Sequence, residues 1–214
     1  MTVLAIVASR GAPQSLRSGD GRRLRVVRER AVAAVVTDRG GRSSPTASNL
    51  RRYDRLMREL AERFPAILPV RFGTRMAEDE LRSVLVSRRR ALALGLAHVR
   101  KRAQMTVRVV QHHAASEHGP TKAPLTGRDY LRSRARAAAA RRAVPGFEPV
   151  RNAVARWVRD ERVEHRAGVS SVYHLIPRAS AAAYRHAVQT SAASSGITAI
   201  VTGPWPPYAF AAFE

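Results

Sequence analysis

The sequence contains no cysteine, which excludes disulfide bonds, thiolate metal ligands and cysteine nucleophiles. It also lacks any apolar run near the roughly 20 residues that a membrane-spanning helix needs. The first residues, Met-Thr-Val-Leu-Ala-Ile-Val, follow no basic segment, and their apolar run ends within about 8 residues, which is strand length rather than signal-peptide length. We therefore expect a soluble, cytoplasmic protein with no membrane partner.

Sequence motifs for common catalytic chemistries are missing as well. The chain has no phosphate-binding Gly-rich loop, no dinucleotide fingerprint and no Gly-x-Ser-x-Gly elbow. Ser170 and Ser171 have no recognisable activating partner. His112, His113 and His118 share a polar segment that is typical of a solvated loop and offers only weak metal ligation. The prediction is a protein without catalytic residues, metal or cofactor.

Acidic residues are scarce relative to basic ones. The 38 Lys and Arg against 16 Asp and Glu give a formal net charge of +22. Such a balance suits contact with phosphates or acidic surfaces, and it equally suits solvated helix faces. One basic stretch runs through Arg88–Arg90 to Lys101 and another spans residues 132–142, with mostly Ala and Leu as neighbours. An arginine-rich nucleic-acid-binding protein is therefore the alternative function.

The first half of the chain predicts strands followed by helices. Residues 31–36 are an unbroken apolar run, as in an interior strand, whereas the apolar positions of residues 48–63 recur at helical spacing. The acidic cluster at residues 78–80 predicts the start of one long helix that ends near Arg102. Residues 10–22 are rich in Gly and Pro and predict a loop. The predicted strands are residues 3–8, 25–28, 31–37 and 66–68.

The second half predicts a different order of elements. It runs strand, helical insert, strand, strand, helix, strand, and the two central strands form a hairpin near Gly168. This is the βαββαβ order of a ferredoxin-like unit with an extended first crossover. We expect an α+β protein of two domains: residues 1–104, including the long helix, and residues 105–214, ferredoxin-like with a helical insertion and the tail. The predicted strands here are residues 105–110, 163–166, 172–176 and 197–201.

Residues 68–74, Leu-Pro-Val-Arg-Phe-Gly-Thr, stand where the chain changes character. Pro69 lacks an N–H donor and favours a sheet edge, and Gly73 permits a turn. Arg71 stands between Val70 and Phe72, so its cation must reach a carboxylate, carbonyl groups or the surface. We expect Arg71 to pair with Asp54 or Glu78.

The C-terminal tail, residues 203–210, combines prolines with separated aromatic residues. Pro204, Pro206 and Pro207 stiffen it and hold the aromatic side chains apart. Either the tail is a strap across the protein's own core, or it is an aromatic peptide that binds a partner. The aromatic residues are Trp205, Tyr208 and Phe210.

Three stretches together resemble the gas vesicle protein L/F family (GvpL/GvpF). They are Leu-Pro-Val-Arg-Phe-Gly-Thr at residues 68–74, preceded by Tyr53-Asp54 and followed by Glu-Asp-Glu-Leu at 78–81; Gly-Arg-Asp-Tyr-Leu at 127–131; and Gly-Pro-Trp-Pro-Pro-Tyr-Ala-Phe at 203–210. Their order and spacing span nearly the whole chain, and the third motif is the most specific.

The resemblance implies a non-enzymatic accessory protein of gas vesicle assembly, located in the cytoplasm and at the gas vesicle. Its implied partners are the hydrophobic shell protein and other accessory gas vesicle proteins, bound during nucleation or growth, and it implies no cofactor. The residues that carry the motifs are the candidates for partner binding or for structural roles: Arg71, Phe72, Gly73, Tyr130, Trp205, Pro206, Tyr208 and Phe210.

Overall fold

The computed structural model describes residues 1–38, 44–110, 128, 131, 143–166 and 168–211. These residues form an α+β protein with two sheets. The chain divides into two compact units: Met1–Gln104 together with Pro204–Glu214, and Met105–Gly203.

The first unit contains a five-stranded antiparallel sheet of order β2-β3-β4-β1-β5. The predicted interior strand is at its centre, and every residue of it is buried. Buried Met57 and Leu60 of the first helix pack with Ala33 and Val35 of this strand. The five strands are β1 (Thr2–Ala8), β2 (Ser15–Arg17), β3 (Arg23–Glu29), β4 (Val32–Thr37) and β5 (Ile67–Pro69).

Helix α1 (Ala47–Arg63) confirms the prediction from helical spacing. It begins at Thr46, whose side-chain oxygen accepts a hydrogen bond from the Asn49 amide at 3.3 Å. It ends at Phe64, whose extended backbone conformation leads towards Pro65.

The long helix predicted from residue 78 is wrong as a single element. The structure has two helices, α2 (Glu78–Ser87) and α3 (Arg89–Val99), and Arg88 between them has φ −98° and ψ 10°. Helix α2 packs against β3 and β4, whereas α3 packs against β1, β4 and β5. Because strands of a twisted sheet diverge in direction, a bend lets both apolar faces follow the sheet.

Strand β2 is a second departure, since residues 10–22 were expected to form a loop. This strand has only three residues and pairs with β3 from the edge of the sheet. A short strand with exposed Ser15 and Arg17 shows too little apolar alternation to be predicted.

The second unit contains a four-stranded sheet of order β7-β8-β6-β9. Strands β7 and β8 form the predicted antiparallel hairpin, with Gly168 at φ +76° in its turn. Strand β9 lies at the edge of the sheet, which is the position where a strand tolerates a proline such as Pro204. The elements are β6 (Arg102–Val110), α4 (Glu148–Val154), β7 (Asp160–Arg166), β8 (Val169–Pro177), α5 (Ala181–Ser194) and β9 (Ala199–Trp205).

The tail was predicted to belong with residues 105–203, but the structure groups Pro204–Glu214 with the first unit. The reason is that Tyr208 packs against the hydrophobic cluster formed by α1 and the first sheet. The first unit is therefore built from two separate segments of the chain.

A buried polar network joins the hairpin of the second unit to its helices. His174 is fully buried, with Nδ1 2.6 Å from the Tyr184 hydroxyl and Nε2 2.7 Å from Glu161 Oε2. The Glu161 carboxylate only accepts, so Nε2 donates to it. Arg151 Nε donates to the same oxygen at 3.1 Å. Burial raises the pKa of Glu161, but hydrogen bonds from His174 and Arg151 outweigh it and hold this pKa at about 2.

Replacing Glu161 tests how much this network stabilises the second unit. Because Glu161→Gln removes the charge that His174 and Arg151 share and leaves Arg151 paired with the more exposed Glu148, we expect the free energy of unfolding to fall by about 2 kcal/mol at neutral pH. The pKa of Glu161 is lowered on folding, so its contribution is present above its ordinary value of 4.5 and is lost as pH falls towards 2. The loss should therefore shrink across that range in denaturant titrations followed by Trp157 fluorescence.

The matched control is Glu164→Gln on the same strand, where the carboxylate is half exposed and lies 3.8 Å from Arg166. It should change the free energy of unfolding by about 0.5 kcal/mol or less. Equal losses in the two variants, or a Glu161→Gln loss that does not change with pH, would contradict the proposed role of the network.

Candidate functional site

The tail is docked on the first unit by its aromatic and proline residues. Pro206, Pro207 and Phe210 are buried, and residues Tyr208–Phe210 form a 3₁₀ turn. The Tyr208 hydroxyl donates to Asp54 Oδ1 of α1 at 3.1 Å. The backbone N–H of Ala209 donates to Gln104 Oε1 at 2.7 Å. These contacts make the tail a strap across its own unit.

Helix α1 presents an ion pair of Asp54 and Arg58 to this strap. Arg58 Nε donates to Asp54 Oδ2 at 3.0 Å, one helical turn apart. The Arg58 guanidinium carbon lies 4.3 Å from the centre of the Trp205 ring, within the range of a cation–π contact. Asp54 thus binds Tyr208 with one oxygen and orients Arg58 over Trp205 with the other.

Tyr53, the neighbour of Asp54, contacts the motif at residues 68–74. Its ring packs edge-on against Phe72, with the ring centres 5.5 Å apart. Its hydroxyl donates to the carbonyl oxygen of Val70, and the carbonyl oxygen of Leu4 lies 3.3 Å away. Two adjacent residues of α1 therefore hold residues 68–74 and the tail in one cluster.

The electrostatic environment of this cluster disfavours ionised phenols. Burial raises the pKa of Tyr53. Burial and the Asp54 carboxylate raise the pKa of Tyr208. Both hydroxyls therefore stay protonated as hydrogen-bond donors, which suits a structural cluster better than acid–base chemistry.

The predicted ion pair of Arg71 is wrong. Arg71 is exposed, and the carboxylates proposed for it hold other arginines: Asp54 binds Arg58, and Glu78 binds Arg25 at 3.0 Å and Arg82 at 2.9 Å. Its backbone carbonyl accepts from the Thr74 amide at 3.1 Å and closes a four-residue turn. The turn directs the guanidinium to solvent, an environment that the sequence also allowed for this cation.

Gly73 determines that turn. It lies at the third position with φ +80°, the conformation that a type II turn requires. A Cβ built at Gly73 would have nothing within 4 Å, so only the backbone conformation disfavours a side chain there.

The remaining predicted residue, Tyr130, lies outside the described residues, as do His112, His113 and His118. In the parts of the chain that are described, no group of three or more His, Asp or Glu side chains could hold a metal ion. The structure does reveal a partner for Ser170, since His165 Nδ1 lies 2.8 Å from its hydroxyl. Ser170 is fully buried, so its hydroxyl is not accessible to a substrate, and its contact with His165 links the two strands of the hairpin.

A cleft adjoins this cluster in the first unit. It has a volume of about 1030 Å³, and Tyr53, Phe72 and Gly73 are among the residues that line it. The motif at residues 68–74 thus forms part of the wall of an open cleft, which sequence patterns gave no means of predicting.

The described helices include none that is long and apolar enough to cross a membrane.

The fold is that of solved GvpF structures. The chain matches GvpF from Anabaena sp. PCC7120 with a TM-score of 0.72 and 12% identity. The match covers 99% of this chain and 95% of that one. It matches GvpF from Microcystis aeruginosa with a TM-score of 0.73 and 13% identity, covering 99% of this chain and 98% of that one.

The family model for gas vesicle synthesis protein GvpL/GvpF matches residues 3–212. The chain therefore belongs to the GvpL/GvpF family, as its three motifs indicated. Among curated proteins, none matches its sequence.

A pair of substitutions tests the turn at residues 71–74. Gly73→Ala should lower the free energy of unfolding by about 1 kcal/mol, because a side chain is strained at positive φ. Arg71→Met should change it by about 0.5 kcal/mol or less, because the guanidinium is solvated. Urea denaturation measures both. A larger loss for Arg71→Met than for Gly73→Ala would restore an ion-pairing role for Arg71.

Proposed function

We propose that the chain is a non-enzymatic accessory protein of gas vesicle assembly. It acts in the cytoplasm and at the vesicle, where it binds the hydrophobic shell protein, other accessory gas vesicle proteins or both during nucleation or growth. The observation that carries the proposal is the match of the GvpL/GvpF family model to residues 3–212, which supports a gas-vesicle-related role for nearly the whole chain.

The absence of an enzymatic activity is part of the proposal. It is supported by the partners of the carboxylates near the motifs and in the buried network. Asp54, Glu78 and Glu161 each hold at least one arginine, and Asp54 and Glu161 also bind a phenol or an imidazole. Structural ion-pair networks engage carboxylates in this way, and we assign these three to packing and orientation.

We also propose that the second unit is ferredoxin-like. Its sheet order is β7-β8-β6-β9, so the first and third strands in chain order, β6 and β8, are the two central strands of the sheet. A βαββαβ chain folds into this arrangement when its first and third strands lie at the centre.

The surface that we propose for the shell protein lies on the second sheet. Because the tail is docked on its own unit, its aromatic residues are engaged internally. Val110 and Ile200 instead leave 38% and 56% of their surface exposed. They lie on the neighbouring strands β6 and β9, where the Val110 amide donates to Thr198 at 3.3 Å. Exposed apolar side chains on neighbouring strands suit a hydrophobic partner.

Co-expression with the gas vesicle shell protein tests this proposal. The wild-type chain should keep the shell protein in the soluble fraction and co-purify with it. Val110→Ser combined with Ile200→Ser should reduce the recovered shell protein about tenfold, because losing two apolar contacts weakens binding by about 1.4 kcal/mol or more.

The matched control combines Val86→Ser on α2 with Leu94→Ser on α3. Val86 is 52% exposed and Leu94 is 64% exposed. This variant should retain the shell protein. If the shell protein sediments equally with and without the wild-type chain, and a clean deletion strain still forms vesicles, the proposal fails. If only the control variant loses the shell protein, the binding surface lies on the first unit.

A further inference from the structure

The cleft of the first unit is lined by arginines from three separate segments. Helix α1 contributes one group, the β2–β3 turn contributes one residue, and the segment after β5 contributes one more. We call this the basic cleft, defined by Arg22, Arg51, Arg52, Arg55 and Arg75.

Among the described residues, two carboxylates also line the basic cleft, and both are already engaged. Asp20 Oδ2 lies 3.1 Å from Arg22 Nε and 3.6 Å from Arg52 Nε. Glu59 Oε2 accepts a hydrogen bond from the Gly19 amide at 2.7 Å. Counted over the described lining residues, five arginines against these two carboxylates give a net charge of +3.

The excess charge is concentrated on Arg51, Arg55 and Arg75, which are all exposed. No carboxylate in the described ranges forms a salt bridge with these three side chains. Arg51 and Arg55 are also one turn apart on α1, where like charges destabilise a helix by a few tenths of a kcal/mol. A bound anion would turn this repulsion into attraction.

The cleft offers apolar surface beside the charge. Phe72, Leu56 and Tyr53 line it, and Phe72 is fixed edge-on against Tyr53. A ligand that matches this lining combines anionic groups, which pair with the guanidinium groups, with apolar surface.

We propose that the basic cleft binds an acidic peptide segment of a partner protein. Carboxylates of the segment pair with Arg51, Arg55 and Arg75, and an apolar side chain packs against Phe72 and Leu56. We favour a peptide over a nucleic acid because the Gly19 amide, which could bind a phosphate, already donates to Glu59. The proposal rests on the cleft and does not require a role in gas vesicles.

Fluorescence polarisation of the full chain with a short labelled peptide of Asp, Glu and Leu tests it. The triple variant Arg51→Gln, Arg55→Gln, Arg75→Gln should bind this peptide at least about tenfold more weakly than the wild type. A matched triple variant, Arg90→Gln, Arg100→Gln, Arg166→Gln, removes the same charge from exposed positions outside the cleft. It should bind within about twofold of the wild type, since distant exposed charges are screened by salt.

Three results would overturn the proposal. The first is equal weakening in the two triple variants, which would indicate attraction to overall charge. The second is equal affinity for a peptide with Asn and Gln in place of Asp and Glu. The third is displacement of the acidic peptide by single-stranded DNA at lower concentration than by unlabelled peptide, which would make the cleft a nucleic-acid site. Unchanged thermal unfolding of both variants verifies that they fold.

Discussion

The hydrogen bond between the Tyr208 hydroxyl and the Asp54 carboxylate joins residues 154 positions apart. It fixes the end of the chain on the helix that covers the first sheet, beside the stacked pair of Trp205 and Arg58. Because residues 105–203 form a unit of their own, the first unit is complete only after the chain returns to it. We expect a contact between such distant segments to form late in folding, since closing a long loop costs entropy before the contact offsets it.

Tyr53 and Asp54 explain why two motifs so far apart in the sequence belong together. Successive residues of a helix point about 100° apart, so the two side chains reach different neighbours from one turn of α1. Tyr53 holds the turn at residues 68–74 through Phe72 and Val70, and Asp54 holds the tail through Tyr208. The open side of the same helix, with Arg51 and Arg55, faces the basic cleft. One helix thus serves both the packing of the motifs and the surface that we propose for an acidic peptide.

Much of the fold was predictable because burial leaves a periodic signal. The apolar run of β4 and the helical spacing in α1 each report one buried face. The break at Arg88 left no such signal, because the apolar positions keep helical spacing across it.

The candidate site was less predictable than the fold. A sequence shows that Arg71 needs a partner or solvent, but the turn set by Gly73 decides which of these it meets. The unit that receives the tail depends on a contact with Asp54, and no local pattern encodes that contact.

If the tail stabilises the first unit, Asp54 and Tyr208 are energetically coupled, and a double-mutant cycle measures that coupling. Asp54→Asn and Tyr208→Phe are made singly and together, and urea denaturation gives the four free energies of unfolding. Because a hydrogen bond to a charged acceptor contributes about 1.5 kcal/mol, we expect a coupling energy of about 1 kcal/mol or more. Additive effects, with a coupling energy below about 0.3 kcal/mol, would contradict it.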